Sequence, residues 1–334
     1  MPFENCCFRS EYPAESLYAF CNLAMAHAEV EPVWPEELPE RPGGYRVLLL
    51  HDVDWLSESS LAILRRCMAR GCVVLCDSAT EVEVPGSERL DFALGVPDRR
   101  LGYGDLEQIA RVRSALERYV SPWATSDDPH LLIRRFRLGS VDYLWVVSLM
   151  THGQDLDHVP VPGEERNATL APAYAGFDER EHRGTVSVPA ADCAVYDVLK
   201  AERVECTRLG DRLVIPVRMG MWQGCLLALY PSAPTGLEVK ASERAVQGRS
   251  VDVKVCVLSG RKALRAHLPL EITVFEPGGA PSEEYSHTAL AVRGSYRFRI
   301  PFAANDAPGT WRVEVHELSA GLKQPAQISL GARR

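Results

Sequence analysis

The first third of the chain alternates short apolar runs with segments of helical periodicity. Apolar residues between Leu17 and Met25 fall largely on one helical face, and the continuous apolar run Tyr45–Leu50 suits a strand buried on both faces. Ser57 is a candidate N-cap for the next helix, and Gly71 is a candidate stop for it. The run Cys72–Cys76 then predicts a second buried strand.

A further helix is expected from Asp105 to Val120. Strand–helix–strand alternation with short connections favours a parallel sheet that carries helices on both faces. The pattern therefore predicts an α/β domain over residues 1–125.

From residue 130 onward the apolar period changes to two. Leu131–Phe136 and Val141–Ser148 flank Gly139–Ser140, a pattern that predicts a β-hairpin. Four more short strands with no helical stretch between them favour a β-sandwich over residues 126–232. They are Thr185–Val188, Cys193–Leu199, Arg212–Arg218 and Gly224–Tyr230.

A second all-β region follows the compact linker Pro231–Pro234. Valines at alternate positions from Val251 to Val257 predict a strand with one buried face, and later segments repeat this alternation. Residues 233–334 are therefore expected to form one immunoglobulin-like sandwich. Trp145, Trp222 and Trp311 lie on or beside expected strands, where sandwich core is the favoured interpretation.

Composition narrows the possible functions. A chain of 334 residues suits two or three domains, and 46% apolar with 25% charged residues describes a globular protein. A net charge of −8 argues against a nucleic-acid partner, and no apolar run is long enough to cross a membrane. Residues 1–30 lack signal-peptide features, so a cytoplasmic location is expected.

The ten cysteines contain no CxxC pair, so neither a zinc ribbon nor a thioredoxin-type site is indicated. Most of them lie in apolar or strand-like runs, where a reduced cysteine acts as a small apolar side chain. The adjacent pair Cys6 and Cys7 has no assigned role.

The N-terminal region resembles the β-galactosidase trimerisation domain, a glutamine-amidotransferase-like domain of flavodoxin fold. The resemblance rests on the segments EVEPVWPEEL, GGYRVLLLHDVDWLSESSLAILRRCMARGCVVLCD and LDFALGV. Residues 130–231 resemble the small sandwich that commonly follows, through LLIRRFRLGSVDYLWVVS, AVYDVLKAERV and GCLLALYP. PLEITVFEPGG and FAANDAPGTWRVEVHELSAG resemble bacterial Ig-like modules.

This resemblance implies a multidomain α/β plus all-β protein, in which a flavodoxin-like parallel sheet precedes two β-sandwich domains. It also implies a non-catalytic accessory or oligomerisation region of a glycoside hydrolase-like protein in carbohydrate metabolism. The catalytic carboxylates of that family lie on an upstream barrel, for which this chain has no room. The expected partners are further copies of the chain or such a barrel, with carbohydrate as a further candidate.

The cluster HDVDW at residues 51–55 is the main candidate binding site. It follows an expected buried strand, and α/β sheets bind ligands at the carboxyl ends of their strands. His51, Asp52 and Asp54 can bind a sugar hydroxyl or a cation, and Trp55 can stack on a pyranose ring. The alternative is structural: an Asp caps the loop and Trp55 packs under the following helix.

No catalytic residue, metal site or cofactor is predicted. Cys76 ends a strand in the context VVLCDSATE, which lacks the glycine-flanked turn of an exposed nucleophile, so a structural role is favoured. The segment THGQDLDH at 151–158 carries possible metal ligands, but a solvated loop is favoured. Three functions stay open: an accessory or assembly region, a carbohydrate-binding module, and an amidotransferase-like or esterase-like enzyme that uses Cys76.

Overall fold

The protein is described by a computed structural model. The structure describes residues 12–33, 38, 45–95, 106–128, 131–148, 181–220 and 224–333. The chain divides into two compact units. The first comprises Met1–Arg134, Val147–Val188 and Val217–Gly224, and the second comprises Arg135–Val146, Pro189–Pro216 and Cys225–Arg334.

Strands dominate the described residues. The three helices in this part of the chain are α1 (Tyr12–Met25), α2 (Glu58–Ala69) and α3 (Leu106–Glu117). The first twelve strands are β1 (Val47–Leu50), β2 (Val73–Cys76), β3 (Glu88–Arg89), β4 (Thr125–Ser126), β5 (Leu131–Leu138), β6 (Val141–Ser148), β7 (Glu181–Pro189), β8 (Ala194–Asp197), β9 (Glu202–Val204), β10 (Thr207–Leu209), β11 (Arg212–Gly220) and β12 (Gly224–Tyr230). The others are β13 (Gly236–Ala241), β14 (Arg244–Val246), β15 (Ser250–Ser259), β16 (Lys262–Ala263), β17 (Leu268–Phe275), β18 (His287–Ala291), β19 (Ser295–Pro301), β20 (Gly309–Glu317) and β21 (Leu322–Gly331).

Helix α2 begins and ends where the sequence predicts. The Ser57 hydroxyl accepts a hydrogen bond from the Ser60 N–H, as an N-cap does. At the other end, Cys72 N–H donates to Cys67 O and Gly71 N–H donates to Met68 O, which together form a Schellman motif. Gly71 has a φ of +91°, a left-handed conformation that glycine adopts without a Cβ clash. Both sequence predictions for this helix are confirmed.

Helix α1 ends in the same motif, but a histidine takes the place of the glycine. Ala28 N–H donates to Leu23 O, and His27 N–H donates to Ala24 O. His27 has a φ of +62°, which is uncommon for a residue with a side chain. Its buried ring accepts hydrogen bonds at Nδ1 from Arg113 Nη2 at 3.2 Å and from Ser126 N–H at 3.4 Å. His27 therefore ties the end of α1 to α3 and to β4.

The first unit contains a small parallel sheet of order β1–β2–β3. Val47 pairs with Val73 and Leu50 pairs with Cys76. Alternate side chains point to opposite faces, so Leu75 joins one core with apolar residues of α1 and α3, and Val74 joins another with residues of α2. In the same unit β4 pairs with β7 in antiparallel register.

The predicted flavodoxin-like fold class is wrong. The described chain is predominantly strand in mostly antiparallel sheets, and its parallel sheet has three strands of four, four and two residues. Strand–helix–strand alternation occurs there once, through β1, α2 and β2. After Cys76 the apolar residues Val84, Leu90 and Leu94 are buried from chain outside the helices and strands, and the two residues of β3 are both exposed. Apolar residues in this segment thus fill the core from irregular chain and do not extend the parallel sheet.

The second unit contains a sandwich of two sheets. One has the order β13–β15–β16, with β19 also paired to β15, and the other has the order β14–β21–β20–β17–β18. Inward valines of β15 and β20 share one core with Trp311, which is fully buried as predicted. Most residues of a five-stranded sheet of order β5–β6–β12–β8–β9 also belong to this unit, and β10 pairs with β11 through residues 207–214.

The three-domain division at 125 and 232 stays a prediction, since the two compact units are drawn on other boundaries. None of the helices in the described ranges combines the length and apolar character needed to cross a membrane. The eight cysteines that the structure describes form no disulfide with one another, and Cys6 and Cys7 lie outside the described residues.

Gly294 should be intolerant of alanine. It has a φ of +72°, and a Cβ there would lie 2.2 Å from Leu264 O. Gly260 has a similar φ of +60° with nothing within 4 Å of its Cβ position, so it serves as the matched control. Gly260→Ala should lower the free energy of unfolding by about 1 kcal/mol, and Gly294→Ala by more than about 3 kcal/mol. Urea denaturation measures both, and equal losses would contradict the steric argument.

His27 should make the protein sensitive to mild acid. Burial, followed by the nearby Arg113 charge, lowers the pKa of His27 from 6.5 to about 4. The unfolded chain therefore binds the extra proton between these two values, and stability should fall by up to about 3 kcal/mol as the pH drops from 6.5 to 4.

The variant His27→Asn isolates this effect. Asn tolerates the left-handed conformation, keeps an acceptor for Arg113 and does not titrate. Urea denaturation of both proteins at several pH values should show that this part of the pH dependence is lost in the variant. Parallel stability curves for the two proteins would refute the assignment to His27.

Candidate functional site

The candidate cluster HDVDW lies at the carboxyl edge of the parallel sheet. Leu50 and Cys76 are paired as the last residues of β1 and β2, so the next residues, His51 and Asp77, leave the sheet side by side. His51 Nδ1 lies 2.5 Å from Asp77 Oδ2, and the Asp77 side chain has no exposed surface. The sequence placed His51 at this edge but gave no signal for Asp77 as its partner.

The Asp77 carboxylate is the centre of a hydrogen-bond network. Besides His51, it accepts from Asp52 N–H at 3.1 Å and from Leu94 N–H at 2.9 Å. The hydroxyl of Thr80 lies 2.8 Å from Asp77 Oδ1. The carboxylate thus holds together the loop after β1, the turn after β2 and the chain around Leu94.

These hydrogen bonds also keep Asp77 ionised. Burial by itself raises the pKa of the Asp77 carboxyl, but the hydrogen bonds from His51, Leu94 and Asp52, together with the His51 charge, outweigh it. The pKa therefore lies below its ordinary value of 3.8. A buried anion with this many donors is well solvated by the protein itself.

After His51 the cluster gives a backbone N–H to this network and then leads to the surface. Asp52 has a φ of +51°, and this left-handed conformation aims its N–H at Asp77. Asp54 is exposed, and Trp55 is 55% exposed. Leu56, the next residue, is buried instead of Trp55. The structural alternative, in which Trp55 packs under the following helix, is therefore not observed.

The structure therefore joins His51 and the Asp52 backbone to Asp77 and leaves Asp54 and Trp55 at the surface. An imidazole oriented by a carboxylate can serve as a base in catalysis. Here, however, Asp77 divides its hydrogen bonds among several segments, which is the arrangement of a loop-organising residue. Ligand binding by His51, Asp52, Asp54 and Trp55 stays a prediction.

Cys76 is placed unfavourably for nucleophilic chemistry. Its side chain is fully buried in the core cluster that contains Leu48 and Val74, and its thiol donates to Ser87 Oγ at 3.4 Å. A nucleophilic thiol needs access for the substrate and a base to form the thiolate. The burial of Cys76 fits the structural role favoured from the sequence.

No metal centre appears in the described ranges, where no group of three or more His, Cys, Asp or Glu side chains is arranged to hold an ion. The segment 151–158 lies outside the described residues, as does Trp222.

A second candidate surface lies on the hairpin β5–β6. Arg135 and Arg137 both bond to Asp142, so these three side chains share one face of the hairpin. Phe136 and Leu138 alternate with the arginines, and they therefore lie on the opposite face together with Trp145. Phe136 is 54% exposed, and Leu138 and Trp145 are each 39% exposed. We call Phe136, Leu138 and Trp145 the aromatic face.

The sequence missed this surface. Its interpretation of Trp145 as sandwich core is wrong, because Trp145 is 39% exposed, whereas its neighbours Leu144 and Val146 on the other face are fully buried. Alternation identifies the two faces of a strand, but it does not say which face another layer covers.

Comparison with known proteins gives no family assignment. No family model matches the chain, and no curated protein matches it. The chain is similar to superoxide reductase (neelaredoxin) from Ignicoccus hospitalis, with 14% identity and a TM-score of 0.23 over 29% of this chain and 81% of that one.

The chain is also similar to the apo exo-carrageenase GH42 from Bacteroides ovatus. The identity is 12% and the TM-score is 0.36, over 66% of this chain and 27% of that one. This is a weak likeness to a glycoside hydrolase family member. Because both TM-scores are below 0.5, neither likeness decides the fold or the function.

Removal of the Asp77 charge should cost stability. Asp77→Asn removes the charge and replaces one carboxylate oxygen with an NH2 group that cannot accept, so the donors at either Oδ1 or Oδ2 lose their acceptor. The free energy of unfolding at pH 7 should therefore fall by about 2–4 kcal/mol. Glu81→Gln, at an exposed residue shortly after the turn that follows β2, should change it by less than about 0.5 kcal/mol.

The same experiment has a pH signature. A carboxylate whose pKa is lowered by folding contributes stability at pH values above its pKa in the unfolded chain. This contribution is lost as the pH falls through the pKa in the folded protein. The gap between native protein and Asp77→Asn should persist from pH 7 to about pH 4 and shrink below that. Chemical denaturation across this range measures it, and a gap that vanishes near neutrality would contradict the assigned role.

Proposed function

We propose that this chain is a non-catalytic accessory region of a glycoside hydrolase-like protein and that it binds saccharide through the aromatic face. The observation that carries the proposal is the joint exposure of Phe136, Leu138 and Trp145 on one side of the hairpin β5–β6. Large apolar side chains that are exposed together mark binding surfaces, whereas scattered single ones do not. An aromatic ring can stack on the apolar C–H face of a pyranose.

The hairpin is held rigidly enough to present these side chains. On one face Asp142 bonds to Arg135 at 2.9 Å and to Arg137 at 3.0 Å. On the other, Val141 belongs to the core of the second unit and the Tyr143 hydroxyl donates to His267 O at 3.0 Å. A surface ordered before binding loses less conformational entropy when a ligand arrives.

The buried chemistry of the chain supports the non-catalytic part of the proposal. Asp77, which would orient His51 in a reaction, already holds three segments of loop in place. Cys76 is enclosed by core residues. A surface that binds without transforming its ligand needs neither group.

Self-association through the same face is the second candidate. The observation that favours it is Leu138, an exposed aliphatic side chain that adds apolar area and no stacking ring. Light scattering separates the two functions, because self-association predicts an oligomer at tens of micromolar that Leu138→Ser converts to a monomer. A protein that is monomeric and binds saccharide excludes this second candidate.

The saccharide proposal is tested by affinity electrophoresis in gels that contain neutral polysaccharides. The native chain should be retarded by at least one polymer, and Trp145→Ala and Phe136→Ala should each weaken the interaction about tenfold, which corresponds to about 1.4 kcal/mol. Trp55→Ala is the matched control, since Trp55 is at least as exposed as Trp145 and Phe136 but lies outside the aromatic face.

Two results would overturn this proposal. Absence of retardation on every polymer would remove the binding function. Loss of retardation in Trp55→Ala, with Trp145→Ala unchanged, would move the site to the cluster at residues 51–55.

A further inference from the structure

Three cationic side chains form a row across the sandwich of the second unit. Lys240 of β13 pairs with Lys254 of β15, and Lys254 pairs with Arg297 of β19. All three residues are exposed, because the residues that alternate with them, such as Val253 and Val255, point into the core. We call Lys240, Lys254 and Arg297 the cationic row.

Two of the three charges in this row, those of Lys254 and Arg297, have no ion-pair partner in the part of the chain that the structure describes. Lys240 has an ion pair with Glu238 at 3.2 Å, and Arg299, beside the row, has one with Asp252 at 2.9 Å. Lys254 and Arg297, which face each other directly, have no ion pair with any residue that the structure describes. Like charges at directly opposed positions of a sheet destabilise it.

The row also borders an open concavity. A groove of about 660 Å³ is lined by Asp252, Val253, Lys254, Arg297, Phe298 and Arg299. Both facing cations thus contribute to the wall of a space large enough for a ligand group. This is a separate surface from the aromatic face, which lies on another sheet of the same unit.

We propose that the cationic row binds an acidic polysaccharide through the carboxylate or sulfate groups of the polymer. A bound anion would relieve the repulsion between Lys254 and Arg297, neither of which has an ion pair among the described residues. Because the chain as a whole carries a net charge of −8, the row would attract a polyanion locally without making the whole surface attractive to one.

The direction of the row bears on the kind of polymer. Neighbouring strands are spaced by about 4.8 Å, so a chain that crosses them would meet Lys240, Lys254 and Arg297 in succession. An extended acidic peptide that followed β19 would instead meet Arg297 and then Arg299, which Asp252 already neutralises. Choice of a polysaccharide over a nucleic acid rests on the proposed function.

The test uses dextran sulfate for sulfate groups, polygalacturonate for carboxylates and uncharged dextran as the neutral polymer. The native chain should bind at least one of the two anionic polymers and not dextran, with an affinity that falls as salt is added. The double variant Lys254→Gln/Arg297→Gln should lose about tenfold or more of that affinity. The double variant Arg249→Gln/Lys323→Gln removes the same charge from exposed positions outside the row and should retain most of it.

Thermal unfolding gives a second measurement. If the two cations only stabilised the fold, their removal would lower the Tm. Since the two charges repel each other, the first double variant should have an equal or higher Tm than the native chain while it binds more weakly. It should also keep its retardation on neutral polymers, so that failure of this site is distinguishable from failure of the aromatic face.

The proposal would be overturned if neither anionic polymer bound, or if the two double variants lost the same affinity. It would also be overturned if a single-stranded DNA of matched charge, or a polyglutamate peptide, bound more tightly than both polysaccharides and depended on the same two side chains.

Discussion

In strand β15, four valines point into the core of the second unit, and Asp252 and Lys254 therefore point outward. Burial of the valines fixes the register, because a shift by one residue would put every one of them in water. The pairing with β13 and β19 then brings Lys240 and Arg297 beside Lys254. The repulsion within the row is thus a consequence of hydrophobic burial on the opposite side of the same strands.

The hairpin β5–β6 also has two faces that differ in polarity. On one face Asp142 forms ion pairs with two arginines. On the other face Val141 is buried, whereas the side chains of the aromatic face are exposed. Exposure there is a property of the layer arrangement as much as of the hairpin itself.

The sequence predicts helix ends and strands correctly where a local pattern has a single physical cause. Ser57 and Gly71 bound α2 because capping depends on residues close in the chain, and alternate valines mark β15 because a strand has a two-residue period. It failed for the sheet of the first unit, where apolar residues after Cys76 pack from loops. It also failed for Asp77 and His27, whose partners lie up to 99 residues away in the chain and leave no local signal.

The order of strands in the second sheet of the sandwich has a consequence for how the protein is made. Strand β21 lies between β14 and β20, although it follows every other strand of that sheet in the chain. During synthesis β14 has no partner on that side until the ribosome has released the residues up to Gly331. Such distant pairing slows folding and leaves the edge of β14 open to association with other chains until β21 is in place.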